Sequence, residues 1–369
     1  MVLETAIRRR LARLRSVMEE REMDAFVLLV LERHNTENCH YISGFRGSSA
    51  ALIIDGRREV LVTDGRYRTQ SAAQTPFEIV IQAELPLPAW VAKAVKEAGW
   101  RRVGFEAEKV SQRIYALSFE PMGVEWVDAS DIIPALRRSK EPEEVEAIRR
   151  AAVIGREAYG MVLETVHSGM TEVEFDSALM TRIKRLGAEK GWAHDDFIVA
   201  SGTRGAMCHA RATSRPFEAG DVVTVDYGAM VDGYMSDITR NFAVGRLSDR
   251  AKEVNDVLLR AHREAAAALR PGVSGKDVDA IARRVITDAG YGKEFVHGLG
   301  HGLGLEVHET PRLSFTSTDV LQEGDVVTVE PGIYIEGWGG LRIEDDYLIT
   351  AGGAECLTVS DNQSIEVIG

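Results

Sequence analysis

Nine residues recur almost letter for letter in this chain. Gly220-Asp221-Val222-Val223-Thr224-Val225-Asp226-Tyr227-Gly228 returns as Gly324-Asp325-Val326-Val327-Thr328-Val329-Glu330-Pro331-Gly332. Each copy is a β-rich run that ends in a carboxylate. Strand alternation puts Val222, Thr224 and Asp226 on one face, and Val326, Thr328 and Glu330 on one face of the second copy. The apolar run reads as a buried strand. The acid at its end does not, because a buried carboxylate needs a partner or a metal. Two such acids in two related strands predict a duplicated domain whose halves meet at a charged site.

Other segments repeat with the same period. Gly169-Met170-Thr171 before Phe175-Asp176 is matched by Gly272-Val273-Ser274 before Val278-Asp279, 103 residues on. Thr171 and Ser274 read as helix N-caps. Each half is therefore a helix, a capped helix and a strand pair, which predicts an α+β domain with a pseudo-two-fold axis. Ser139-Lys140-Glu141-Pro142 opens its first helix, with Pro in the first turn and acids behind it. The domain boundary falls near residue 135, giving domains 1–135 and 136–369.

The first domain alternates strand and helix signals. A helix over 4–23 presents Ile7, Leu11, Leu14 and Met18 on one face, and Ala25–Leu31 follows as a buried strand. Tyr41–Ser49 reads as turn-rich. Strands at 50–54 and 58–63 flank Asp55-Gly56, and further signals run to about Val127. This predicts an α/β domain. It carries no catalytic spacing, so a structural or oligomerising role is the simpler reading.

Beyond Asp226 the chain runs through glycines to Asp237 and Thr239, which share a face; beyond Glu330 it reaches Arg342 and Glu344, which also share one. Each half thus offers two acids on a hairpin-like pair. Four inward carboxylates repel unless cations lie between them. His301, inside Gly298-Leu299-Gly300-His301-Gly302-Leu303-Gly304, adds an imidazole where glycines permit close backbone approach. Two divalent cations balance four carboxylates. Oxygen-rich ligands with one imidazole suit Mn, Co, Fe or Zn. The glycine run is not a dinucleotide fingerprint, and neither HExxH, GxSxG nor a P-loop is found in the sequence.

Composition narrows the class. The chain has 369 residues, 45% hydrophobic and 27% charged, as in ordinary soluble proteins. A formal net charge of −13 argues against a general nucleic-acid binder. Cys39, Cys208 and Cys356 form no CxxC pair, which suggests a reducing compartment. The Arg-rich N-terminus lacks a signal peptide's apolar core, and Ala25–Leu31 is too short to span a bilayer. The expectation is a cytoplasmic protein with no membrane partner.

The segments VDYG, SDITR, HGLGHGLGLEVHE, VEPGIY and LRIEDDYLIT closely resemble the pita-bread-fold metallopeptidases, and within them the Xaa-Pro peptidases, aminopeptidase P and prolidase. YISGFRGSS and TDGRY resemble the N-terminal domain of bacterial members and lean toward aminopeptidase P. The resemblance covers nearly the whole chain. It implies Asp226, Asp237, His301, Glu330 and Glu344 as ligands of two divalent metals, manganese foremost, with Asp237 and Glu344 bridging. It implies roles near the substrate for His209, His297 and His308, and an Arg342 that restrains Glu344. Thr239 would support the ligands. The family usually has Pro before the first histidine, where this chain has Cys208. A homodimer is implied as well.

The implied reaction is hydrolysis of the bond before proline, in dipeptides or at the N-terminus of longer peptides. His308 and His209 would stabilise the oxyanion or position the proline end, and Glu330 would carry a proton to the leaving nitrogen. A metal-free creatinase-like hydrolase and an inactive peptide-binding module on the same fold are the rivals. Arg46, Arg66 and Arg204 are candidates, by charge alone, for engaging a free substrate carboxylate.

Overall fold

The computed structural model describes residues 2–32, 34–82, 84–192, 197–358 and 363–368, with the side chains of residues 2 and 3 left aside. They cluster into two units, Met1–Arg137 and Arg138–Gly369.

The first unit is α/β. In chain order it contains α1 (Val2–Glu20), β1 (Ala25–Val30), α2 (Thr36–Ser43), β2 (Ala50–Asp55), β3 (Glu59–Thr63), α3 (Arg68–Gln74), β4 (Glu78–Ile81), α4 (Leu87–Ala98), β5 (Arg102–Phe105), α5 (Gln112–Ile114), β6 (Glu125–Asp128) and α6 (Ile132–Arg138). The strands form one mixed sheet in the order β4-β3-β2-β1-β5-β6. Ile7, Leu11, Leu14 and Met18 are buried, as their spacing on α1 predicts.

The stretch expected to be turn-rich begins instead inside a helix: Thr36–Ser43 is α2. Its local sequence is a poor helix former, but buried contacts compensate. Asn35 and Asn38 donate side-chain hydrogen bonds to the buried carboxylate of Glu106, the latter at 2.6 Å. Gly44 then ends the helix with φ 80°, a conformation that favours glycine.

The second unit carries the duplication. Its first half contains α7 (Pro142–Leu163), α8 (Glu172–Arg185), β7 (Ile198–Ser201), β8 (Val222–Tyr227), the ribbon β9 (Met230–Val231) and β10 (Tyr234–Met235), and β11 (Ile238–Val244). Its second half contains α9 (Asp249–Ala268), α10 (Gly275–Asp288), β12 (Gly300–Gly302), β13 (Glu309–Leu313), β14 (Val326–Val329), the ribbon β15 (Gly332–Ile335) and β16 (Gly339–Arg342), and β17 (Asp345–Thr350). Then follow β18 (Gly353–Cys356) and β19 (Glu366–Ile368). The sheets are β19-β11-β8-β7 and β13-β12-β14-β17-β18.

The two halves repeat individual hydrogen bonds. Thr171 Oγ1 accepts from the Glu174 N–H, and Ser274 Oγ from the Asp277 N–H, so both act as N-caps. The Gly169 N–H donates to Phe217 O and the Gly272 N–H to Leu321 O, each at 2.9 Å. Asp221 accepts from the Glu218 N–H at 2.9 Å and Asp325 from the Gln322 N–H at 2.8 Å. Each half has its own apolar core, one around Phe175, Val225 and Phe242, the other around Val278, Leu299 and Val327.

Candidate active site

The paired strands place the acids. In the first half Asp226, on β8, lies opposite Thr239 of β11, and Asp237 immediately precedes β11. In the second, Glu330 follows β14 and Glu344 precedes β17, beside the antiparallel pair Val329–Asp345. The simple hairpin expected between each pair of acids is interrupted by a short ribbon, β9–β10 or β15–β16.

A polar seam joins the halves. Thr239 Oγ1 donates to Glu344 Oε2 at 2.6 Å, and the Glu344 N–H returns to Thr239 O at 3.3 Å. The Asp237 N–H donates to Asp346 Oδ2 at 3.0 Å, and Asn241 Nδ2 to Arg342 O at 2.7 Å. Asp226, Asp237, Glu344 and His301 are all buried.

His301 sits where only glycines fit on either side. A Cβ on Gly300 would lie 2.1 Å from Thr328 O, and one on Gly302 would lie 2.3 Å from Thr310 O. Its Nδ1 is 3.1 Å from Gly302 O, which can only accept, so Nδ1 carries the proton. Nε2 then faces Glu330 Oε1 at 3.3 Å and Asp237 Oδ2 at 3.8 Å. Asp237, His301 and Glu344 each offer one ligand atom within 4.8 Å of the others.

An imidazole nitrogen among carboxylates is a site for a cation, whether a metal ion or a proton. Asp226 Oδ1 and Asp237 Oδ1 are buried without a hydrogen-bond partner. Burial, and then the charges of Glu344 and Asp226, push the Asp237 carboxyl well above its ordinary range. Burial, and then Glu330 and Asp226, do the same to Glu344. Burial also raises Asp226, against the opposing Arg342 guanidinium. Burial pushes Glu330 upward too, but His301, with help from His297 and Arg342, outweighs it and holds the group low. Donor chemistry, orphaned oxygens and mutual repulsion fit a divalent cation at Asp237, His301 and Glu344, with Asp226 and Glu330 next to them.

Arg342 has a different first partner from the one expected. It forms its ion pair with Asp226; its charge also acts on Glu344 as expected, but its hydrogen-bond link to that carboxylate runs through Thr239, with Nε donating to Thr239 Oγ1 at 3.0 Å. The reason is position: its strand β16 packs against β8, which carries Asp226. Arg342 Nη1 also donates to Cys208 O at 3.2 Å and to the Tyr334 hydroxyl at 2.8 Å. The Cys208 backbone is thereby tied to the site, next to His209, which is exposed.

His297 continues this chain. Its Nδ1 lies 2.7 Å from Gly298 O and so carries the proton, leaving Nε2 to accept from the Tyr334 hydroxyl at 3.0 Å. Burial lowers its pKa, favouring the neutral ring. His308 packs edge-on against His301, ring centres 4.4 Å apart. Among the charge-only candidates, Arg204 is committed to Glu172, at 3.1 Å to both oxygens. Arg66 pairs with Asp64 at 2.9 Å within the first unit, to which Arg46 also belongs.

Two residues escaped the sequence reading. Tyr334 links Arg342 to His297. Arg312, on β13, pairs across the strands with His301 of β12, is exposed, and has no ion-pair partner among the described residues. The regular strand pattern of β15 hides Tyr334, and the register that brings Arg312 opposite His301 is tertiary.

Comparison with known proteins agrees with this geometry. The sequence profile of metallopeptidase family M24 matches residues 146–351, and that of the creatinase/prolidase N-terminal domain matches 10–139. The chain is 34% identical over 362 residues to a Xaa-Pro dipeptidase of Pyrococcus furiosus, covering 97% of this chain and 99% of that one. It superposes on a Xaa-Pro dipeptidase from Bacillus anthracis with a TM-score of 0.91 at 37% identity, covering 98% of this chain and 100% of the other. An X-Pro aminopeptidase from Thermotoga maritima gives a TM-score of 0.88 at 36% identity, covering 95% and 99%.

Proposed function

The chain belongs to metallopeptidase family M24, and on that premise we propose that it is a dinuclear metal-dependent exopeptidase that hydrolyses the Xaa-Pro bond of dipeptides. The observation that carries the proposal is His301 Nε2 facing Asp237 and Glu330, beside the unpartnered oxygens of Asp226 and Asp237. Two divalent cations held by Asp226, Asp237, His301, Glu330 and Glu344, manganese foremost, would supply Lewis-acid polarisation of the scissile carbonyl and acidification of water.

The chain's own groups do the rest. With its side chain 17% exposed, Glu330 is open to the cleft, whereas Asp237 is 5% exposed. Glu330 therefore takes the proton from attacking water and passes it to the proline nitrogen, which has no N–H of its own. His308 and His209 line the oxyanion side, and His297 orients the proline end. Thr239 holds Glu344, and Arg342 holds Asp226.

Arg312 favours the dipeptide reading. An unpaired guanidinium on the His301 face is placed to receive the free proline carboxylate, a bidentate match. The second reading, an aminopeptidase P acting on longer chains, is favoured by the likeness to the Thermotoga protein and by the YISGFRGSS segment. A homodimeric, cytoplasmic enzyme completes the proposal. The described residues contain no helix long and apolar enough to cross a membrane.

The test is metal content with activity. Protein loaded with manganese is expected to hold two ions per chain and to cleave a Xaa-Pro dipeptide but not its Xaa-Ala counterpart. Equal rates on both, or no divalent metal bound, would refute the proposal.

A further inference from the structure

The duplication separates what the fold needs from what the site needs. A contact made in both halves is part of the shared scaffold. A contact made in one half alone marks a specialisation.

Asp176 on α8 and Asp279 on α10 occupy equivalent positions, and both do the same scaffold work. Asp176 Oδ1 accepts from the Phe197 N–H at 3.0 Å, and Asp279 Oδ1 from the Leu299 N–H at 3.1 Å. One helical turn on, the halves part. The first half has Met180, whose sulfur receives the Gly191 N–H at 3.3 Å. The second half has Arg283 at the corresponding place.

Arg283 reaches the loop that carries His297. Its Nη1 donates to Phe295 O at 3.1 Å and its Nη2 to His297 O at 2.8 Å. Asp279 fixes the guanidinium from behind, with Nε to Oδ2 at 2.8 Å and Nη2 to Oδ1 at 2.9 Å. The rings of Phe295 and Phe315 lie 4.3 and 5.0 Å from its central carbon. Phe315 does this although it is 55% exposed, an apolar side chain whose placement the guanidinium explains.

We infer that Arg283 is a positioning residue that holds His297 in register with Tyr334 by gripping the backbone carbonyls of Phe295 and His297. The inference rests on the peptidase reading, in which His297 faces the substrate. The reach is short and direct: Arg283 holds the His297 carbonyl, and the His297 ring accepts from Tyr334, which Arg342 holds in turn. A lysine cannot replace this grip, because one ammonium cannot serve two carbonyls and a carboxylate in a fixed plane.

A double-mutant cycle tests it, run on manganese-loaded enzyme. Arg283→Gln is expected to lower kcat/KM by about tenfold, since misplacing a substrate-positioning group costs about that or more. In a His297→Ala background the same change is expected to alter kcat/KM by less than about twofold, because the two residues act as one unit. Arg283→Lys, which keeps the charge and guards against misfolding of the Gln variant, is expected to behave like Gln.

Hydrogen exchange supplies a readout besides activity. The amides of 295–299 should exchange faster in both Arg283 variants, while those of 197–201 keep their wild-type protection. Additive losses in the cycle, wild-type activity in His297→Ala, or unchanged protection over 295–299 would overturn the inference. If the wild-type enzyme cleaved no Xaa-Pro substrate, the peptidase reading would fall, and the exchange arm would still decide whether Arg283 holds the loop.

Discussion

Thr239 and Glu344 meet across the seam between the two halves, hydroxyl to carboxylate at 2.6 Å, with the Glu344 N–H returning to Thr239 O at 3.3 Å. The side chain of a strand in one half thus orients a carboxylate supplied by the other. Thr239→Val keeps the shape and removes the donor. Metal affinity is expected to fall by about 10–100-fold, as when the supporting partner of a metal ligand is lost. Calorimetric titration of apo protein with manganese checks this; unchanged affinity would mean that Glu344 needs no such support.

Arg342 is the counter-charge of the buried Asp226. Arg342→Met leaves that carboxylate uncompensated and should destabilise the apo protein by about 3–5 kcal/mol. Adding Asp226→Asn should recover part of the loss. Urea denaturation of the single and double variants measures both.

The pH dependence of the apo protein follows from its raised carboxyls. Asp226, Asp237 and Glu344 all lie above their ordinary values, chiefly through burial. Each binds its proton more tightly folded than unfolded, so stability falls as pH rises from about 4 through the raised folded values. Glu330, held low, acts oppositely but only at pH below about 4. Replacing Asp237 and Glu344 by Asn and Gln should therefore raise the melting temperature of apo protein more at pH 8 than at pH 5, a comparison in which the opposing effect of His40, His262, His297 and His308, all with lowered pKa values, cancels. Metal loading should remove most of that slope and release protons. Thermal scans at the two pH values, with and without manganese, decide it.

Much of this was legible in the chain. The repeat, both N-caps and the clustering of acids around one histidine follow from alternation and from the cost of burying charge. What pairs with what was less legible. Arg342 and Asp226 are 116 residues apart, and strand order alone brings them together. Arg312 is opposite His301 because of a register that shifts at the next residue, a bulge no local pattern announces. Helix α2 is held by Glu106, 68 residues beyond Asn38, so its own sequence reads as turn.

Glu330→Gln isolates the proton carrier. The substitution keeps a ligand oxygen and removes the base, so kcat should fall by about 10²-fold or more. Bound metal should be measured alongside. Near-normal turnover with both metals present would exclude Glu330 from proton transfer.

Arg312→Ala should weaken cleavage of a Xaa-Pro dipeptide by about 10–100-fold in kcat/KM, the worth of a hydrogen bond to a charged group. The loss should fall on KM, and a peptide extended beyond proline should be affected far less. Equal losses on both substrates would place the guanidinium away from the carboxylate.

The central claim is tested most directly by paired initial rates on the manganese-loaded enzyme, using a Xaa-Pro dipeptide and the same sequence extended by two residues. The account predicts rapid cleavage of the dipeptide and little of the longer peptide. Release of only the first residue from the longer peptide, with the dipeptide left intact, would make the enzyme an aminopeptidase P. Silence on both, with two metals bound, would contradict the assigned substrate.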